Sequence, residues 1–382
     1  MEEKRKAAVS RKNRDDEIEQ IMLDELAETR ENTRKFIAED DIWEEYESYE
    51  YDKKSKAKVI LSRVGICTVT LLVVLAAGLY GCLFILQKGP SKTARDLFVN
   101  SAMESSAGKF MAKMFFSDEE IAEIRRANSV VATDDITDTS LVNIDTSEES
   151  EDGTSKDIEI VEISSDTYRG KMMIVKDPSR VTVGTSGEYG AEYSGKKVSE
   201  MIEAYGGVAG VNGGGFEDAG GVGNGGTPVG LVISEGKLKF GNAGTTYEVI
   251  GFDNDNKLVV GNMTAQHALD MGVRDALSFG PILIVNGEAS QVNGDGSGLN
   301  PRTAIGQRAD GAILLLVVDG RQVNSIGASY ADLIDVMIQF GAVNAANLDG
   351  GSSSLMYYNG EYINSCSSLC GPRNIPTCIV VK

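Results

Sequence analysis

Apolar positions are spread unevenly along the chain. Between Val64 and Leu86 the run VGICTVTLLVVLAAGLYGCLFIL holds no charged side chain. As a helix it is long enough to cross a bilayer core of about 30 Å. A buried core helix would carry a polar face, which this run lacks. Its length and the long charged segment before it argue against a cleaved signal peptide. Lys53, Lys54, Lys56, Lys58 and Arg63 precede it, against Lys88, Lys92 and Arg95 after it. The positive-inside rule then puts the N-terminus in the cytoplasm and the C-terminal part outside.

Beyond the anchor, SKTARDLFVNSAMESSAGKFMAKMFFSDEEIAEIRRANS has helical apolar spacing in two parts, with Ser117 as an N-cap. From about Ile158 the period shortens. IEIVEI, KMMIVK, RVTVG, VAGVN, VGLVI, KLVV, PILIVNG, AILLLVV and CIVV read as strands. LVISEGKLKF reads as a hairpin turning at Glu235-Gly236. Two amphipathic helices interrupt them, at Lys197–Tyr205 and Ser329–Phe340. In the second, Leu333, Ile334, Met337 and Phe340 share a face before Gly341 caps the end. The expected class is α+β: a mixed β-sheet ectodomain with a few packed helices, preceded by a single transmembrane helix and a helical stalk. The expected divisions are a cytoplasmic charged tail (1–58), the transmembrane helix (59–87), the stalk (88–132), an acidic linker (133–157) and a folded domain (158–382).

Charge sharpens this division. Residues 1–52 sum to −9 and residues 133–166 to −11, which together account for the formal −20 of the 382-residue chain. The acidity belongs to tail and linker, and says little about what the domain binds. The tail reads as mostly solvated, with short helical stretches and no recognisable partner. Nucleic acid is a poor partner, because no basic cluster occurs in the glycine-rich half. Of the five cysteines, Cys67 and Cys82 fall in the apolar run as plain packing residues. Cys366, Cys370 and Cys378 fall outside, so at most one pair forms there.

Several chemistries drop out. His267 is the only histidine, which leaves serine triads and multi-histidine metal sites with little support. GVGNGG (221–226) precedes a strand instead of a helix, unlike a dinucleotide fingerprint. DNDNK (253–257) lacks the sixth-position glycine of a calcium loop, and reads as a turn. No cofactor is called for. Two aspartates beside a phosphate would allow a divalent ion, but no ligand spacing requires one.

Four polar segments at strand ends remain: VNGGGF (211–216), NPRTAIG (300–306), VVDGR (317–321) and NLDGGSSS (347–354). Singly, each is an ordinary turn. Together they supply Asn212, Arg302, Asp319, Arg321, Asn347 and Asp349, with freed backbone amides and three adjacent hydroxyls. Such amides cradle phosphate oxygens and arginine forks match them, while a nearby carboxylate can act at a glycosidic carbon. If the strand ends converge, an anionic sugar ligand fits.

These motifs, in this order and with TPVGLVISEGK upstream, resemble the phosphodiester glycosidase family over about residues 160–382. That family includes the lysosomal uncovering enzyme and bacterial proteins labelled as exopolysaccharide-biosynthesis proteins. The resemblance implies hydrolysis of a sugar-1-phosphodiester to a free sugar and a phosphomonoester. The catalytic candidates are Asp349, then Asp319, with Arg302 and Asn212. Substrate or phosphate would fall to Arg321, Thr303, Asn347, Gly213, Gly350, Gly351, Ser352, Ser353 and Ser354, and to Arg373 in PRNIPTCIVV. The family's Asn-Leu-Asp-Gly-Gly-Gly-Ser-Ser-Thr-Met is broken twice, by Ser352 for the third glycine and Leu355 for threonine. The expected function is a membrane-anchored, extracytoplasmic hydrolase of envelope or secreted glycans. The alternative is a non-catalytic glycan or phosphoglycan-binding module in exopolysaccharide or wall assembly.

Overall fold

The computed structural model describes residues 2–105, 108–144, 158–218, 221–368 and 370–382. Most of the acidic linker, from 145 to 157, lies outside the described residues. Two compact units divide near residue 81, Met1–Gly81 and Cys82–Lys382.

The first unit is formed by a helix that runs from Glu2 to Lys88. Residues 1–52 were expected to be mostly solvated with short helical stretches. Apart from the partly covered Glu50, their described side chains are exposed, but the helix is continuous. Strong helix formers and i,i+4 pairs such as Glu31–Lys35 and Glu50–Lys54 support it. Its stretch Glu44–Lys88 is long and apolar enough to cross a membrane, by length and composition.

In the second unit, Lys92–Met103, Lys109–Lys113 and Asp118–Ala127 form a small helical cluster closed by Val99, Ala102, Ala112, Phe116, Ile121 and Ile124. Ser117 caps the last of these in a reciprocal capping box with Glu120. The chain then joins the domain edge: Val131 N donates to Gln291 O (2.8 Å) and Asn293 N to Ser129 O (2.9 Å). Thr137 continues this contact through Val260.

Three antiparallel sheets make the domain. The largest runs Ile158–Ser164, Arg169–Val175, Ile313–Val318, Arg302–Arg308, Ala342–Leu348, Ile282–Val285, Glu288–Ala289 from edge to edge. The second runs Glu361–Tyr362, Met356–Tyr358, Ala209–Asn212, Thr377–Val381, Val181–Thr185. The third runs Lys237–Phe240, Val232–Ser234, Val273–Ser278, Thr246–Asp253, Leu258–Thr264. All three give residues to one shared core, including Val175 and Leu315, Val211 and Ile379, and Phe252 and Leu277. Each sheet also carries a short helix. Tyr330–Gln339 lays Leu333, Ile334, Val336 and Met337 on the largest sheet. Val198–Ala204 covers the second and Ala265–Asp270 the third. Strands buried on both faces need uninterrupted apolar runs, hence AILLLVV, in which Ile313–Val318 is entirely buried.

The α+β class is therefore as expected. The hairpin turns at Glu235 (φ 55°) and Gly236 (φ 66°), a pair of left-handed residues that matches strand twist. All five cysteines are free, and burial pushes the Cys378 thiol up.

Candidate active site

The site forms where the largest and second sheets meet. Arg302–Arg308 and Ala342–Leu348 are antiparallel neighbours, with Thr303 opposite Leu348. One step further along this ladder, the next residues are Arg302 and Asp349. Asp349 N donates to Gly213 O (3.0 Å), which ties the end of Ala342–Leu348 to the end of Ala209–Asn212. Gly351 N donates to Pro301 O (2.8 Å), and Gly351 takes φ 60°, the left-handed region that suits glycine. At Gly213, an added Cβ would lie 2.7 Å from Thr377 O, so only bare backbone fits.

Asn212 is the fully buried hub behind this turn. Its Nδ2 donates to Asp349 O (2.5 Å), and its Oδ1 accepts from Thr303 Oγ1 (2.8 Å) and Leu355 N (3.0 Å). Truncation would orphan three groups at once. Asn212→Ala is expected to cost about 3 kcal/mol or more, measurable as a lowered denaturant midpoint. A loss below about 1 kcal/mol would show that the hub is not holding the turn.

In front of the turn lies a cleft of about 590 Å³. Of the residues expected at the site, Arg302, Arg321, Asp349, Gly350, Gly351, Ser352, Ser353 and Arg373 line it. Asn212, Gly213, Thr303, Asn347 and Ser354 stand behind it as support. Asn347 Nδ2 donates to Gly280 O (2.8 Å), while its Oδ1 and Ser354 Oγ are buried without a protein partner. Asp319 lies elsewhere. Its Oδ1 accepts from Asn364 Nδ2 (3.0 Å) and Ser365 N (3.1 Å), so this carboxylate fastens the 364–365 loop. Burial raises its pKa, against those two bonds.

Asp349 is one of the three carboxylates that line the cleft. Desolvation pushes its carboxyl up to about 6, against bonds from Ser353 and Gly350 N (3.0 Å) and the Arg373 charge. Three arginines share its cleft. Arg373 grips Asp218 with both terminal nitrogens (2.7 and 2.8 Å) and stacks 4.8 Å from the Phe216 ring. Arg302 is buried over Tyr330 at 4.2 Å, donating to Ala328 O, Ser297 Oγ, Gly298 O and Glu104 Oε2. Arg321 sits at φ 58°, rare for a side-chain-bearing residue, and its Nη2 reaches Asn300 Oδ1 (3.1 Å). Although Arg321 is exposed overall, desolvation of its guanidinium and then the Arg302 charge lower its pKa. Among the described residues no group of three or more histidine, cysteine or acidic side chains is placed to hold a metal ion.

The two departures from the family pattern differ in weight. Ser352 lines the cleft with ordinary backbone, and its Oγ lies 3.4 Å from Arg373 Nη1. Leu355 packs in the core beside Met201 and Ile375, away from the cleft. Asp218, Asn300, Tyr330 and Glu104 complete the walls without having been singled out from the sequence. Asn300 falls inside a quoted motif, whereas Glu104 lies far upstream at a helix end and carries no local signal.

A half-buried carboxylate, three arginines and a glycine-rich turn thus share one cleft of an α+β protein. Residues 205–382, just under half of the chain, match the family model described as phosphodiester glycosidase, a hydrolase-type family. The chain is 34% identical over 152 residues to an SPbeta prophage-derived protein, YomE, of Bacillus subtilis, covering 37% of this chain and 24% of that one. It is 28% identical over 177 residues to mouse N-acetylglucosamine-1-phosphodiester alpha-N-acetylglucosaminidase, covering 40% and 34%. The chain thus spans about a quarter to a third of these relatives' lengths. The zebrafish form of that enzyme, solved as a catalytic domain auto-inhibited by its pro-peptide, superposes with a TM-score of 0.50 at 26% identity. That superposition covers 59% of this chain and 81% of the zebrafish one.

Proposed function

We propose that the domain hydrolyses sugar-1-phosphodiesters, releasing the free sugar and a phosphomonoester. The observation that carries this is Asp349, a carboxylate with a raised pKa, in one cleft with three arginines and the Gly350–Ser353 turn. Arg321 and the turn hold the phosphate oxygens, and Arg373, through Asp218 and Ser352, shapes the opposite wall. Ionised Asp349 takes a proton from water as its oxygen bonds to the anomeric carbon. The bond from that carbon to the phosphate oxygen breaks, and the phosphate keeps the electron pair. A phosphate ester leaves as a stable anion, so the site needs fixed positive charge more than a proton donor.

The wider setting is part of the same proposal. The apolar stretch anchors the chain once in a membrane with the N-terminus in the cytoplasm. The domain, roughly 158–382, then works outside on envelope or secreted glycans. Purified full chain in detergent, given a simple sugar-1-phosphodiester, should release free sugar. Tight binding of that compound without release would make the domain a non-catalytic glycan-binding module.

The protonation state adds a check. Asp349 works as the anion, so kcat/KM should fall about tenfold per pH unit below its pKa of about 6 and level off above. A profile that instead falls above pH 6 would make Asp349 a proton donor.

A further inference from the structure

Six charged side chains line the cleft, Glu104, Asp218 and Asp349 against Arg302, Arg321 and Arg373. Their formal charges cancel. Two of the arginines are already committed to carboxylates, Arg373 to Asp218 and Arg302 to Glu104 at 2.6 Å. Arg321 bonds instead to the amide oxygen of Asn300. Glu104 comes from outside the matched domain, at the end of the helix Lys92–Met103. Its Oε2 also accepts from Asn300 Nδ2 (2.8 Å), so Asn300 links Glu104 to Arg321. The helix is fixed there by close approach. A Cβ on Gly298 would lie 2.1 Å from Ser101 N of this helix, and one on Gly294 would lie 2.3 Å from Asn128 Oδ1 at the end of the helix Asp118–Ala127.

We propose that Glu104 is a specificity-determining residue, tuning the cleft to a singly charged phosphodiester and against a doubly charged phosphomonoester. The proposal rests on the reading of the cleft as a phosphodiester site. A diester phosphate carries one negative charge, whereas a monoester carries nearly two above its second pKa of about 6. With Arg302 and Arg373 neutralised, Arg321 offers one uncommitted charge, which matches one on the ligand. The second charge of a monoester faces Glu104 in a partly desolvated space, where like charges repel more strongly than in water. The same repulsion favours departure of the phosphomonoester product.

The test compares methyl phosphate with dimethyl phosphate, titrated calorimetrically into the full chain in detergent at pH 7.5. Wild type and Glu104→Gln are measured side by side. Glutamine keeps an acceptor oxygen for Arg302 and Asn300 while removing the charge. The variant should tighten methyl phosphate about tenfold more than it tightens dimethyl phosphate. At pH 5, where both probes carry about one charge, that difference should vanish. Equal effects on the two probes at pH 7.5 would overturn the proposal. Arg321→Ala separates the possible failures. Should it abolish binding of both probes while Glu104→Gln leaves their ratio unchanged, the phosphate site stands and the role of Glu104 falls. Should neither variant alter either probe, the phosphodiester reading falls with it.

Discussion

Asp349→Asn should abolish sugar release and at the same time stabilise the fold. The amide has nearly the same shape and can still accept from Gly350 N, so the turn should survive. It can no longer take a proton from water, and the loss in kcat should be roughly 10³-fold or more. The stability change follows from the pKa. In the folded chain the carboxyl is raised to about 6 from an ordinary 3.8, chiefly by desolvation. A group raised in this way favours the fold most at low pH, and that contribution is lost as pH climbs from about 4 through 6. At pH 7.5 the wild type therefore holds a desolvated anion that the variant lacks. The variant should unfold later there, by on the order of 2 kcal/mol, with the gain shrinking to nothing near pH 4. Denaturant melts at the two pH values read this directly. A variant that loses activity together with stability at pH 7.5 would mean that Asp349 holds the turn and not the reaction.

Such an opposition between function and stability is also why part of the site was legible in the sequence. NLDGGSSS is too polar and too rich in glycine for a strand end that only turns, and the structure brings it to the cleft with Arg302, Arg321 and Arg373. Asp319 shows the limit of that signal. VVDGR has the same appearance, but its carboxylate turns to Asn364 and Ser365, a choice made by a loop 45 residues away. Strand Arg302–Arg308 was hard to see for the opposite reason. PRTAIGQR looks like a polar strand end, yet Thr303 and Gln307 are fully buried. Their side chains meet partners from other sheets: Asn212 for Thr303, and Leu258 N for Gln307. A polar residue with a tertiary partner is indistinguishable, in one sequence, from a polar residue facing water. The apolar strands and the amphipathic helix Tyr330–Gln339 needed no such partner, and their periodicity sufficed.

Arg302→Ala should be the most destabilising single change at the site, and its damage should be largely undone by a second substitution. The guanidinium is buried, sits over Tyr330, and ties together Ala328, Ser297, Gly298 and Glu104. Removing it leaves the Glu104 carboxylate, only 21% exposed, without its cation. Breaking a buried pair from one side costs about 3–5 kcal/mol, because the remaining charge stays desolvated. Arg302→Lys should recover little, since a single ammonium cannot reach Ala328 O on one side and Glu104 on the other. Glu104→Gln removes the stranded charge. Added to Arg302→Ala, it should restore about half of the lost stability. Sugar release should stay low in the double variant, at roughly 10²-fold below wild type, because the cleft has lost the wall that seats Asn300 and Arg321. A double-mutant cycle by denaturant unfolding measures the coupling. Additive losses would show that Arg302 acts through Ala328, Ser297 and Gly298, and that Glu104 is a neighbour without energetic consequence. Coupling above about 1.5 kcal/mol would instead make the pair a joint between the upstream helix and the strand Arg302–Arg308.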